Sequence, residues 1–109
     1  MNEDPIKRLT LLVLFQAQHD HATELAVART VSGPSPIRYK VGSRWYDMAP
    51  PPAHILPDVV AELERLAEFT GRPYPKEGLI DVPYSGVRLR WLIRIANADA
   101  EVLLTPIEQ

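Results

Sequence analysis

Residues 87–95 read Val-Arg-Leu-Arg-Trp-Leu-Ile-Arg-Ile, nine positions of period-two patterning. Successive side chains of a β-strand point to opposite faces, so this segment owns one core face and one outward face. Val87, Leu89, Trp91, Ile93 and Ile95 define the first; Arg88, Arg90, Leu92 and Arg94 define the second. A chain built around such a strand must supply further strands to pair with it and helices to cover its apolar side.

The helices are legible. Asp4 can accept the orphan amide hydrogens of a first turn, and Pro5 is tolerated at the first helical position. From there Ile6, Leu9, Leu12, Val13 and Ala17 recur at helical spacing, with Leu11, Leu14 and Phe15 widening the stripe. So wide a stripe predicts a helix buried on most sides, ending near His19-Asp20-His21. A second helix is expected over 57–70, with Val59, Val60, Leu63, Leu66 and Ala67 on one face. Asp58, Glu62, Arg65 and Glu68 fall off that face, and Gly71 followed by Pro73 reads as its stop.

Short strands fill the rest. Leu25, Val27 and Arg29 alternate with Glu24, Ala26 and Ala28 ahead of a Ser32-Gly33-Pro34 break. Ile37, Tyr39 and Val41 alternate with Arg38 and Lys40, and Gly42-Ser43 closes a hairpin into 44–48. Pro50-Pro51-Pro52 ends that strand, because proline cannot donate to a ladder. Strands over 79–83 and 101–105 flank residues 87–95, with turns at Ser85-Gly86 and Asn97-Ala98-Asp99. The order α-β-β-β-α-β-β-β predicts a two-layer α+β fold, with a mostly antiparallel sheet and both helices on one face. Residues 1–109 fit one domain.

Composition narrows the chemistry. There is no cysteine, which removes disulfides and thiolate metal sites. A net charge of −2 argues against a general nucleic-acid binder. No apolar run approaches the ~20 residues of a spanning helix. Glu3 and Asp4 sit where a signal peptide would carry positive charge, so a cytoplasmic setting is expected.

Most catalytic patterns are also missing. The five glycines sit singly, with no phosphate-cradling loop. His19 and His21 are two apart, point in different directions on a helix, and have no third ligand at useful spacing. Ser32, Ser35, Ser43 and Ser85 fall in turns; Glu62, Glu64 and Glu68 read as a solvated helix face. No catalytic residue, metal or cofactor is expected.

One charged feature stands out. Arg88, Arg90 and Arg94 share one face of their strand, and Arg38 and Lys40 alternate in the same sense on another. If the two strands are neighbours, the sheet presents a cationic face. It reads either as a solvated face that discourages aggregation or as a docking surface for an acidic partner or phosphate groups. Leu92 and Tyr46 interrupting it favour a protein.

Taken in order, several segments resemble the domain that precedes the motor in type II secretion and type IV pilus assembly ATPases. Residues 5–17 resemble that family's opening leucine-rich helix, and Ala22-Thr23-Glu24-Leu25 stands where it reads Ala-Ser-Asp-Ile. Ile37-Arg38-Tyr39-Lys40-Val41 is similar to its Val-Arg-Tyr-Arg-Ile strand, and Pro75-Lys76-Glu77-Gly78 to its Pro-Gln-Asp-Gly turn. The likeness spans about residues 5–96, without the ATPase domain. Ala26 and Ala28 replace the family's His and Glu, and Leu79 replaces an Arg. The resemblance implies a non-enzymatic assembly or interaction module, whose partner is a secretion or pilus ATPase or a second copy of the chain. The alternative is a small-ligand sensor with a pocket between sheet and helices, lined by Trp91, Trp45 and Tyr39. Nucleic acid, bound by the same arginines with Tyr39 and Tyr46 as stacking platforms, ranks last.

Overall fold

The structure, a computed structural model, describes residues 4–30, 35–49, 51–69 and 71–107. Asp4 caps the first helix as the sequence implies: its carboxylate accepts from the Ile6 amide at 2.9 Å, and Pro5 opens α1, Pro5–His19. Then follow β1 (Glu24–Val27), β2 (Ile37–Val41), β3 (Arg44–Asp47), a single 3₁₀ turn (Ala53–Ile55) and α2 (Leu56–Leu66). The chain closes with β4 (Lys76–Tyr84), β5 (Val87–Ile95) and β6 (Val102–Pro106). This is the α+β order read from the sequence.

All six strands join one open antiparallel sheet in the order β3-β2-β1-β6-β5-β4. It consists of two three-stranded meanders, and the pairing of β1 with β6 is the seam between them. Leu25 faces Leu104, Ala26 faces Leu103 and Val27 faces Val102 across it. Both helices lie on one face. Val13, Leu14 and Ala17 of α1 and Leu56, Val59, Val60 and Leu63 of α2 form a single core with Leu25, Ile80, Leu89, Trp91, Ile93 and Leu104.

The two short hairpins follow from their turns. Tyr84 pairs with Val87 across Ser85-Gly86, whose φ angles of 48° and 83° are both positive, the geometry that matches strand twist in a two-residue loop. Val41 pairs with Arg44 across Gly42-Ser43, where Gly42 alone has a positive φ, of 63°, glycine standing first in the two-residue loop. The Ser35 hydroxyl ties β2 to the end of β3 by donating to the Met48 carbonyl at 2.8 Å and accepting from the Ile37 amide at 3.2 Å.

Several boundaries and faces differ from the sequence reading. The α1 stripe is not buried all round: Leu12 is 49% exposed, whereas Thr10 is buried. Thr10 can be buried because its hydroxyl donates to the Ile6 carbonyl one turn back, at 2.8 Å. Arg29 leaves β1 and donates from Nε to the Ala100 carbonyl at 2.8 Å. β4 starts at Lys76, so Lys76-Glu77-Gly78 is strand and not turn. Gly78 is needed there, since a Cβ would come within 2.5 Å of the buried Phe69 ring. The Ser32-Gly33-Pro34 break, Pro50 and Thr70 lie outside the described residues.

Both helices end without glycine, and earlier than Gly71 implies for α2. Glu68 (φ 58°) is left-handed; its amide donates to the Arg65 carbonyl and the next amide, of Phe69, to that of Glu64. His21 (φ 61°) repeats the pattern after α1, with amide bonds from His21 to Gln18 and from Ala22 to Ala17. Each is a Schellman ending whose left-handed residue is ordinarily Gly. The His19-Asp20-His21 segment is therefore a helix end with a backbone role.

The carboxylates Glu62 and Glu64 are not on a solvated face. Glu62 is 8% exposed and held by Arg65 Nε at 2.8 Å. Glu64 contacts the Lys76 ammonium, and Lys76 is itself 8% exposed and lies 4.5 Å from the Tyr74 ring. Lys76 reaches Glu64 from the first residue of β4, so this pair anchors α2 to the sheet. Loss of one partner would leave the other charge buried and uncompensated.

A left-handed non-glycine residue costs roughly 1 kcal/mol. Glu68→Gly should therefore raise stability by about 0.5–1 kcal/mol in denaturant unfolding. A fall in stability would show that Glu68 is not the left-handed terminator of α2.

Candidate functional site: the open face of the sheet

Because β5 alternates, burying Leu89, Trp91, Ile93 and Ile95 against the helices sends Arg88, Arg90, Leu92 and Arg94 to the uncovered side. Arg38 and Lys40 of β2 lie on that side as well, opposite the buried Ile37. All five cations thus share a face. They are not neighbours, however: β1 and β6 stand between β2 and β5. The arrangement is two basic flanks, three strand spacings apart, instead of one basic patch.

Carboxylates interleave with these cations. Arg88 Nε meets Asp81 Oδ1 at 2.7 Å, and Arg90 Nε lies 3.5 Å from Asp81 Oδ2. Arg38 Nη2 is 3.5 Å from Glu101, with its guanidinium 4.5 Å over the Trp45 ring. Lys40 pairs with Glu24 at 3.7 Å. Arg94 makes no hydrogen bond or ion pair among the described residues, although Glu77 is its register partner. Pairs this exposed contribute only about 0.2–1 kcal/mol each and exchange partners readily. Glu24, Asp47, Glu77, Asp81 and Glu101 escaped the sequence reading. Glu77 and Asp81 share the period-two alternation of β4, but their match to the arginines depends on strand pairing.

The apolar part of the face is Leu79 (43% exposed), its cross-strand neighbour Leu92, Leu103 (38%) and Trp45 (40%). Trp45, not Tyr46, is the aromatic beside the arginines. Tyr46 pairs with Tyr39 on the helix side, ring centroids 5.9 Å apart. The two tyrosines are therefore turned away from the cations. Nor do Trp91, Trp45 and Tyr39 line a common pocket: Trp91 is wholly buried in the core and Trp45 lies on the other side of the sheet. A half-open cavity of about 810 Å³ sits elsewhere, between the first half of α1 and the β4–β5 turn, with Lys7, Leu9, Leu12 and Tyr84 in its wall.

On the helix side, Tyr39 donates to Asp20 Oδ2 at 2.7 Å, and Gln16 Nε2 donates to the same oxygen at 3.0 Å. Those bonds, Gln16's first, hold the Asp20 carboxyl below the usual carboxylate range. The bond to Asp20, followed by burial, pushes the Tyr39 hydroxyl above its usual value. Gln18 Nε2 of the same turn donates to the Arg88 carbonyl at 2.9 Å. The last turn of α1 is thus fastened to β2 on one side of the seam and to β5 on the other.

Among the described residues there is no cluster of three His, Cys, Asp or Glu able to hold a metal ion. No described helix is long and apolar enough to cross a membrane. Compared with known proteins, the chain matches no family model and finds no significant match among curated proteins. Fold and face together define a class, a two-layer α+β domain with one uncovered, mixed-charge sheet face.

The Asp20–Tyr39 bond fixes a pH dependence. The folded-state pKa of Asp20 is depressed, so its contribution is fully present above the ordinary carboxylate pKa and is lost as pH falls through the lowered value. Tyr39 is the converse case, contributing below its ordinary pKa and losing that contribution as pH rises through the raised one. Thermal melts of Asp20→Asn should therefore show a shallower loss of Tm than wild type below about pH 4. Parallel Tm–pH profiles for the two proteins would contradict this.

Proposed function

We propose that the chain is a non-enzymatic interaction module that docks a protein partner on its open sheet face. The carrying observation is the six-stranded sheet with helices on one side only, which leaves Leu79, Leu92, Leu103 and Trp45 at the surface among five cations. Interfaces combine such apolar contacts with arginine and tryptophan anchors.

The charge balance of the face favours protein over polyanion. Arg38, Lys40, Arg88, Arg90 and Arg94 are matched in number by Glu24, Asp47, Glu77, Asp81 and Glu101. A nucleic-acid surface would carry excess positive charge. Kinship with the pre-motor domain of secretion and pilus ATPases is part of this reading, as is a cytoplasmic setting; both rest on the ordered sequence segments of residues 5–96. Under it, the partner is such an ATPase or another component of its assembly.

Arg88, Arg90 and Arg94 lie on the side of the sheet opposite the helices, so replacing them together by Glu removes no residue of the hydrophobic core. Binding to a secretion or pilus ATPase encoded by the same genome should fall at least tenfold in a quantitative pull-down. Unchanged binding would exclude the open face as the docking surface.

A further inference from the structure

β4, at one edge of the sheet, is nine residues long and pairs with β5 over its whole length, while no strand adjoins its other side. The Ser85-Gly86 turn decides which of its backbone groups face outward. Tyr84 and Val87, which close the two-residue loop, exchange both hydrogen bonds, and bonded and non-bonded pairs alternate from there. Val82, Ile80, Gly78 and Lys76 therefore bond β5, and Pro83, Asp81, Leu79 and Glu77 turn their backbone groups away from it. The carbonyls opposite agree. That of Arg90, facing Asp81, accepts from the Ile107 amide at 3.0 Å, and that of Arg88, facing Pro83, accepts from Gln18. Proline, with no amide hydrogen, stands at an outward position, where the ladder loses nothing.

The amides and carbonyls of Glu77, Leu79 and Asp81 thus form an outward array about 14 Å long. They make no hydrogen bond among the described residues. The opposite edge offers less: β3 has four residues, of which Trp45 and Asp47 turn outward. Such an array defines its occupant as an extended segment, whose own amides and carbonyls it satisfies.

Charges on an edge strand commonly discourage pairing with a second copy, and here they do so in a specific register. Two copies of β4 related by a two-fold axis satisfy all six of these groups only when Leu79 faces Leu79. That register sets Glu77 opposite Asp81 twice, like charge against like. A partner strand with Lys or Arg opposite Glu77 turns the same position into an attraction. Asp81 is already held by Arg88 and Arg90, whereas Glu77 makes no ion pair among the described residues, so Glu77 sets the charge requirement. Arg94 stands one strand further in, about 10 Å from an added strand.

Alternate residues of that strand fall on the helix side, beside Gly78, Ile80, Val82 and Tyr84, and call for apolar side chains. Tyr84 shares the wall of the half-open cavity with Leu11 and the half-exposed Leu12, while Lys7 and Arg8 in that wall keep a partner's cations away from this end. We propose that β4 is the seat of one extended segment of a partner protein, added antiparallel as a further strand, with Lys or Arg opposite Glu77 and apolar residues on the helix side. The edge is a surface separate from the open face, and this inference does not depend on the docking reading above.

The test is an NMR titration of the full chain with a blocked seven-residue peptide, Leu-Lys-Ile-Val-Ile-Lys-Leu. Its controls are a twin with Glu for Lys and a form N-methylated at the second, fourth and sixth residues, whose amides face β4. The Lys peptide should shift the Glu77, Leu79 and Asp81 amides and slow their hydrogen exchange at least tenfold at saturation. The Glu twin and the N-methylated form should each bind at least tenfold more weakly. Leu79→Pro removes an outward amide and no ladder bond, so the folded variant should lose the peptide at least tenfold; where it does not fold, the N-methylated peptide decides. Glu77→Lys should reverse the order of the Lys and Glu peptides. The proposal is overturned if the Lys peptide leaves the three amides unmoved, if N-methylation costs no affinity, if folded Leu79→Pro still binds, or if the shifts centre on β3 or the open face. Changes in these amides with protein concentration alone would assign the edge to a second copy and overturn it too. Failure on any of these counts leaves the open-face reading to its own pull-down.

Discussion

Three rungs between β1 and β6 hold this molecule together. Leu25, Val27, Val102 and Leu104 are essentially inaccessible, and their pairing joins two meanders from opposite ends of the chain. Without it the chain would hold two three-stranded sheets, each with one helix and neither with enough apolar surface to close a core. Closing so long a loop carries an entropy cost that grows only slowly with length, and burial of the four side chains offsets it at about 25 cal/mol per Å². The helix layer reinforces the same line. The last turn of α1 bonds to Tyr39 in one meander and to the β5 backbone in the other.

The seam has a second side. Strand alternation means that the residue between Leu25 and Val27, Ala26, faces away from the helices, as does Leu103 opposite it. No helix remains to cover them, so the middle of the uncovered face is the backs of the two most buried strands, floored by small or apolar side chains. Glu24 and Glu101 bracket this centre at the ends of the same two strands, and the five cations stand on β2 and β5 to either side. The uncovered face is thus a consequence of how the core closes, and the proposed interaction surface and the stability of the fold share one set of rungs.

Much of this was legible in the residues. The alternation over 87–95 correctly placed Leu89, Trp91, Ile93 and Ile95 in the core and the arginines outside it, although Val87 at the turn is 43% exposed, and Asp4-Pro5 located the start of α1. What escaped depends on long-range pairing or on local chemistry with more than one solution. Strand order placed β1 and β6 between the two sets of cations, and no local pattern in the sequence states that order. Trp45 rather than Tyr46 faces the arginines because the two-residue turn sets Lys40 opposite Trp45, a parity that Gly42-Ser43 already implies. Glu62 and Glu64 read as solvated because helical position alone does not reveal Arg65 or Lys76 as their partners. Gly71 looked like the end of α2, but Glu68 adopts the left-handed conformation three residues earlier. On the face itself, the cations were visible as a pattern, while Ala26 and Leu103 carry no chemical signal and gain meaning only from their register.

Native-state amide hydrogen exchange tests the seam most directly. Every amide of an interior strand is bonded, so those of Leu25–Val27 and Val102–Leu104 should exchange only through global unfolding, far more slowly than those of the edge strand Arg44–Asp47. Exchange of the β1 and β6 amides at the rate of β3 would contradict the account, because the two meanders would then be separating while the rest of the fold stays intact.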